Sequence, residues 1–396
     1  MNQKTSKDPV EDARRHVCER VDELASILVE ASHSIHSNPE LNFEEHHAHE
    51  LLTGILESQG LRVERGACGL STAFRSDVGE EGPIIAVLCE YDALPVIGHA
   101  CGHNIIATAG IGAGLAAAAV ARDLGGRIRI LGTPAEEGGG GKVIMAERGA
   151  FEDVAAAMMV HPADADLENI TSLAIQQCEV TYEGHAAHAA AAPEQGRNAL
   201  DAMVLGYMNV AALRQHISPA ERIHGIFLES GDKANIVPRR AKANWYVRSP
   251  SSAGLRDLKA RLSACLEAGA TAAGCSMEMT WIPNGYAEVV DNRVLLDRYA
   301  ANSEELGRPI FATTEKQVVG STDMGNISYL VPGIHPMIKT APTGTAIHTE
   351  DFARFAVSEE ADRAVLDGAK AMALTVVDCW TDATVLQAAN EEFAAF

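Results

Sequence analysis

The chain has 396 residues, too many for one small domain and enough for two or three cores of about 150 residues each. Hydrophobic residues make up 47% and charged residues 22%, which excludes a disordered chain and allows a sizeable buried core. Lys and Arg number 32 against 54 Asp and Glu; the formal net charge of −22 repels phosphate backbones and anionic lipid, so neither nucleic acid nor membrane is an expected partner.

The amino-terminal stretch Met1 to Arg15 is polar and has no apolar h-region, so no signal peptide is expected. Val10 to Ser37 carries apolar residues at helical spacing (Val17, Val21, Leu24, Ile27, Leu28, Ala31), and Asn38-Pro39-Glu40 punctuates it. Glu44 to Gln59 resumes as a helix closed by Gly60. Within it His46, His49 and Glu50 share a face, which reads as solvated rather than as a metal site.

From Pro83 the pattern changes. Ile84 to Cys89 is a continuous apolar run ending in Glu90-Tyr91-Asp92; Ile128 to Leu131 ends in Thr133-Pro134-Ala135-Glu136-Glu137; Ala155 to Val160 ends in His161-Pro162. Ala-rich helices, Ile105 to Leu124 and Gly141 to Ala150, lie between them. The first of these contains the most apolar stretch, Ile105 to Val120, which reads as a buried helix because no apolar run reaches the roughly 18 residues of a membrane span. Strand alternating with helix predicts an α/β domain whose sheet has parallel strands covered by helices on both faces, and ligands gather beyond the carboxyl ends of such strands.

Cys178 to Tyr182, Asn198 to Arg214, Ile223 to Ser230, Ala241 to Arg248, Ala253 to Ala272 and Ser276 to Ile282 then read as β-α-β-β-α-β, a ferredoxin-like α+β domain. The expected division is residues 1–172 and 289–396 for the α/β domain and 173–288 for the insertion. The first domain resumes with a helix at Asn292 to Leu306 and a run of strands to Thr345, and a final helix, Ser358 to Asp378, closes it. Eight cysteines without framework spacing predict free thiols and a cytoplasmic setting.

The chemistry sits in the polar residues that end the apolar runs or lie in Gly-flanked loops: Glu90, Asp92, Cys101, His103, Glu136, Glu137, His161 and His348. Cys101-Gly102-His103 sets a thiolate and an imidazole two residues apart. With a carboxylate and two more histidines the donor set is mixed S, N and O, which suits Zn²⁺, or else Mn²⁺ or Co²⁺, and it is large enough for two ions sharing a bridging ligand. Adjacent Glu136 and Glu137 are costly to crowd without a cation, and one can hold metal while the other faces a water.

In order along the chain, Asn38-Pro39-Glu40-Leu41, Glu90-Tyr91-Asp92-Ala93-Leu94-Pro95, His99-Ala100-Cys101-Gly102-His103, Pro134-Ala135-Glu136-Glu137, His161-Pro162, Gly184-His185-Ala186-Ala187-His188, Asn235-Ile236-Val237-Pro238, Ser321-Thr322-Asp323-Met324-Gly325 and Ile347-His348-Thr349 resemble the motifs of the M20 metallopeptidases. Within that family they resemble the amidohydrolase branch of aminoacylases, N-acyl-amino-acid hydrolases and aminobenzoyl-glutamate hydrolase. The resemblance implies a zinc-peptidase-like catalytic domain with a mixed sheet between helices, and an inserted lid and dimerisation domain. It implies two divalent metal ions on Cys101, His103, Glu137, His161 and His348, with Cys101 shared, Glu136 as general base, and Asp92 orienting a ligand from behind. It further implies that His188, on the insertion, polarises the scissile carbonyl, in relatives from a dimer mate, and that Asn235 and Arg248 hold substrate. Ile106 stands where many members carry another His, Asn104 where Asp is usual, and Glu90 where Asp is common. With the Gly138 to Lys142 run, this places the chain nearer the aminobenzoyl-glutamate and basic-dipeptide hydrolases.

The expected activity is hydrolysis of an amide bond beside a free carboxylate, in an N-acyl or N-aroyl amino acid or a dipeptide, by a homodimer. The rivals are hydrolytic deamination of an aromatic amine and a non-catalytic ligand-binding relative.

Overall fold

Six consecutive buried residues, Ile84–Cys89, form the strand around which the first unit is built. In the computed structural model, which describes residues 8–313 and 319–396, that strand runs parallel to Arg127–Gly132 on one side and to Val154–Met158 on the other. Residues 1–7 of the polar amino-terminal stretch, and 314–318 of the strand run expected up to Thr345, lie outside the described residues. Phe74–Val78 adds antiparallel to Arg127–Gly132, and the six-stranded sheet is completed by Glu64–Arg65 and Gly333–Ile334 at its edges, so it is mixed. Register pairs Cys89 with Gly132, which releases Glu90 and Thr133 side by side from one edge.

The chain divides into two compact units, Met1–Thr171 with Val289–Phe396, and Ser172–Glu288. In the first, the helix His103–Leu124 is long and apolar enough to cross a membrane by length and composition, yet 89% of its apolar window is buried inside the protein. The helices Pro9–Glu23, Ala25–Ser37 and Glu359–Thr381 pack on it, and its small residues permit that close approach.

Several expectations need correction. The single helical stretch Val10 to Ser37 is two helices that break at Leu24, whose N–H is shared between Arg20 O and Val21 O. The face carrying His46, His49 and Glu50 is only partly solvated, because His49 is buried against the Phe74 ring. The strand run to Thr345 is, among the described residues, three short strands (Val319–Gly320, Gly333–Ile334, Met337–Lys339) around a short helix, Met324–Ser328. Two further helices carry no expectation from the sequence, Glu350–Phe355 and Ala383–Ala395, the latter following the long closing helix.

In the second unit the strands Ala174–Glu183, Arg222–Glu229, Arg240–Ser249 and Ser276–Trp281 form an antiparallel sheet; the helices Ala199–Leu213 and Ser252–Ala273 follow the first and third. Spatial order places the fourth strand beside the first, then the third, then the second, the ferredoxin-like arrangement. Both helices cover one face through Cys178, Val180, Tyr182, Trp245, Leu262 and Leu266. The alternation of the strands sends Arg248 and Tyr246 to the other face. Arg222–Glu229 is an edge strand, with Ile226, Phe227 and Leu228 exposed at 62, 42 and 50% beside a register slip opposite Lys242 and Ala243.

Candidate active site

The buried strand Ile84–Cys89 delivers Glu90 and Asp92 into the interior, where both stay buried. Asp92 uses its two oxygens separately: Oδ1 lies 3.1 Å from His103 Nδ1, and Oδ2 accepts the Glu137 N–H at 2.9 Å. His103 opens its helix directly after Gly102, whose φ of 76° and approach to Pro162 (2.5 Å from an added Cβ) leave room only for glycine. With Nδ1 engaged by Asp92, His103 turns Nε2 towards Glu90 Oε2 (3.5 Å), Glu136 Oε2 (3.8 Å) and Glu137 Oε1 (3.9 Å).

His161 begins a short strand paired with Met337–Lys339, rather than ending the preceding one. Its Nδ1 lies 2.8 Å from Pro162 O, leaving Nε2 to face Cys101 Sγ at 3.5 Å. His348, in a left-handed conformation (φ 61°), is set by its N–H on Ala100 O and places Nε2 3.3 Å from Glu137 Oε1. Donor atoms therefore gather in three clusters, Cys101–His103–His161, Cys101–Glu137–His348 and Glu90–His103–Glu136, each within 4.8 Å, with Cys101 common to the first two and His103 to the first and third.

The electrostatics of these residues fit a cation. His103 Nε2 and Glu137 Oε1 are buried without a hydrogen-bond partner and point at one another's cluster. Burial, then Glu137, holds the Cys101 thiol well above its ordinary range; burial, then Glu90 and Glu137, does the same to Glu136. Burial also pushes Asp92 up, but His103 and the N–H groups of Glu137 and Glu136 outweigh it and hold the carboxyl low. A thiol and carboxylates crowded in a dry pocket need positive charge, and the N, S and O donors present are those that divalent transition metals take.

Four further residues contribute to the site. Glu45 accepts the N–H of Ala135 at 2.9 Å, fixing the positive φ (59°) from which Glu136 departs, and also accepts from Thr72 Oγ1 at 2.7 Å. Lys142 and Asp323 pair beneath Glu90. His335, wholly buried, packs its ring 5.3 Å from that of His161. Lys142 has a local signal, a lone cation directly after four glycines, and Asp323 lies in the Ser321–Gly325 motif; Glu45 and His335 have none. Asn104, where Asp is usual, donates to Ser32 Oγ and Ala356 O and ties the helix start to its neighbours.

In the second unit His188 and Asn235 lie on adjacent loop segments, joined by the Ala189 N–H on Asn235 O and a bridge between His188 and Ile236. Both side chains are exposed. His188 Nδ1 accepts the N–H groups of Ala190 (3.2 Å) and Ala191 (3.1 Å), which puts the ring proton on Nε2. Arg248 is half-buried on the open sheet face, directly opposite Arg222, and burial holds its pKa below the usual value.

The model of peptidase family M20/M25/M40 matches residues 90–378. The chain is 38% identical to the Xaa-Arg dipeptidase of Mus musculus, over 98% of this chain and 94% of that one. It is 29% identical to a p-aminobenzoyl-glutamate hydrolase component of Escherichia coli, over 90% of each. A dinuclear metal-binding M20 peptidase from Bacillus subtilis superposes with a TM-score of 0.70 at 18% identity, over 90% of this chain and 99% of that one. The chain belongs to peptidase family M20/M25/M40, and it is a metal-dependent enzyme that hydrolyses amide bonds.

Proposed function

We propose that the enzyme hydrolyses the amide of a dipeptide or an N-acyl or N-aroyl amino acid beside its free carboxylate. Cys101, His103, Glu137, His161 and His348 would hold two divalent ions, Zn²⁺ or else Mn²⁺ or Co²⁺, with Cys101 a ligand common to both. The observation that carries this reading is the membership of Cys101 in two donor clusters that together contain all five of these residues, while buried Glu136 falls in the third, with Glu90 and His103. When bound, such a pair supplies Lewis acidity, bringing the pKa of a water from about 16 towards neutrality.

Glu136 is the general base. In a dry pocket beside Glu90 and Glu137 its carboxylate has a high proton affinity, which suits it to take a proton from water and return it to the departing amine. Asp92 holds the His103 ring and the Glu137 backbone in place. His188, with its proton on Nε2, donates to the carbonyl oxygen as negative charge develops there. Asn235 and Arg248 hold the substrate carbonyl and carboxylate, Arg248 with Arg222 opposite it.

The names of the relatives support dipeptides and aroyl-glutamates as the substrate classes, and the net charge of −22 favours a cationic partner over an acidic one. Dipeptides with a basic carboxy-terminal residue are therefore the first choice. Hydrolytic deamination and a purely binding role have no support from relatives named for amide hydrolysis. We also propose a homodimer built on the second unit, with its exposed Ile226-Phe227-Leu228 edge strand paired to a second copy and His188 acting across the two-fold. The free thiols of all eight cysteines suit a reducing, cytoplasmic setting.

The test is a hydrolysis screen of basic dipeptides, N-acyl amino acids and aminobenzoyl-glutamate on metal-stripped protein reloaded with Zn²⁺, Mn²⁺ or Co²⁺. Release of a free amino acid is the expected result. Ammonia from aryl amines without any acyl product would reverse the assignment.

A further inference from the structure

Beneath the donor clusters lies a cation that the reaction above does not use. Lys142 is wholly buried, its Nζ 2.6 Å from Glu90 Oε1 and 2.7 Å from Asp323 Oδ1, and both carboxylates are wholly buried too. Its backbone N–H also donates to Asp323 Oδ2 at 2.9 Å, so Asp323 grips the residue at both ends. Glu90 Oε2 then lies 3.5 Å from His103 Nε2, and Glu90, His103 and Glu136 bring their donor atoms within 4.8 Å of one another. Glu90 is thus a bridge, one oxygen on the ammonium and the other towards the imidazole and carboxylate of the reacting centre.

The glycine run makes this contact reachable. The N–H groups of Gly139 and Gly140 both return to Ala135 O, and a Cβ on Gly141 would fall 1.8 Å from Pro134 O. The chain folds back on itself so that Lys142, six residues after Glu136, ends beneath it. A buried ammonium is costly in isolation, as is each buried carboxylate; together they offset one another and fix each other's position. Left without Lys142, Glu90 would lose the contact that fixes Oε1, and with it the aim of Oε2 at His103.

We propose that Lys142 is a positioning residue of the metal centre: clamped by Asp323, it pins Glu90, and through Glu90 it sets His103 and Glu136. The inference rests on the metal-centre reading above but not on the identity of the substrate.

The test is a double-mutant cycle read in metal affinity. Metal-stripped wild type, Lys142→Met, Glu90→Gln and the double variant are titrated with Mn²⁺ and Zn²⁺ against a fluorescent chelator, and the unfolding midpoint of each is recorded without metal. Lys142→Met should weaken binding about tenfold, the usual size for a partner behind a ligand. In the Glu90→Gln background the same substitution should change it less than about twofold, because no charge is left to pin. kcat should fall with Lys142→Met while KM stays near wild type. If Lys142→Met does not fold, Asp323→Asn, which loosens the ammonium without removing it, takes its place in the same cycle. Folded variants that bind both ions with wild-type affinity, or losses that simply add, would overturn the role of Lys142. Wild type that binds no ion would instead overturn the metal-centre reading itself.

Discussion

The two units present their chemistry in opposite ways. In the first, Cys101, His103, Glu136 and His161 are all buried, each held by a partner or a tightly constrained turn. In the second, His188 and Asn235 are exposed on loops, and only their backbones are tied down. The donors of the first unit are set in place by the fold, with only His348 among them exposed, at 49%. Exposed groups gain their electrostatic strength when a substrate or closure removes the water around them. Cys101, His103 and His161 should therefore govern metal and stability as well as rate, whereas Glu136 in the first unit and His188 and Asn235 in the second should govern rate.

The largest effect should come from Glu136. Glu136→Gln keeps the shape and removes the base, so kcat should drop about 10³-fold with both metals retained; near wild-type turnover would take the base role away from it. Next is His188→Ala, expected to cost about 10² in kcat through the lost oxyanion donor. Its metal content and unfolding midpoint should match wild type, and a loss of either would blur the contrast between the units. Ile226→Lys on the exposed edge strand should give a monomer in sedimentation and, with His188 working across the two-fold, a loss of similar size. A fully active monomer would place His188 within its own chain.

The smallest effect is on stability. Burial pushes Glu45 up to about 7, against the hydrogen bonds from Thr72 and the neighbouring N–H groups. The folded state thus holds the proton more tightly than the unfolded one. The stability this contributes is complete below the ordinary carboxyl range and is lost as pH rises through about 7. Between pH 5 and 8 the wild type should lose up to about 3 kcal/mol that Glu45→Gln does not. Parallel curves in chemical unfolding would remove Glu45 as the source.

Sequence carried the strand ends of the first unit because each apolar run stops abruptly at a carboxylate or imidazole. It carried the β-α-β-β-α-β order of the second because alternation and helical periodicity change sharply there. What it could not carry were partners chosen across distance. Lys142 and Asp323 are 181 residues apart, and Glu45 and Ala135 are 90 apart, so nothing local shows that either pair meets. His335 has no flanking pattern, and only its packing on His161 reveals it. The break at Leu24 was hidden because apolar spacing continues through it, while the segment before Thr345 is held more by turns and a short helix than by its apolar content.

The central claim is that one buried thiolate joins two metal positions, and metal content per folded chain tests it most directly. Protein dialysed free of loose ions should retain two divalent ions by elemental analysis, and Cys101→Ala, checked for folding, should retain fewer. A wild type that hydrolyses its substrate with no tightly held ion, or a Cys101→Ala chain that keeps both, would contradict it.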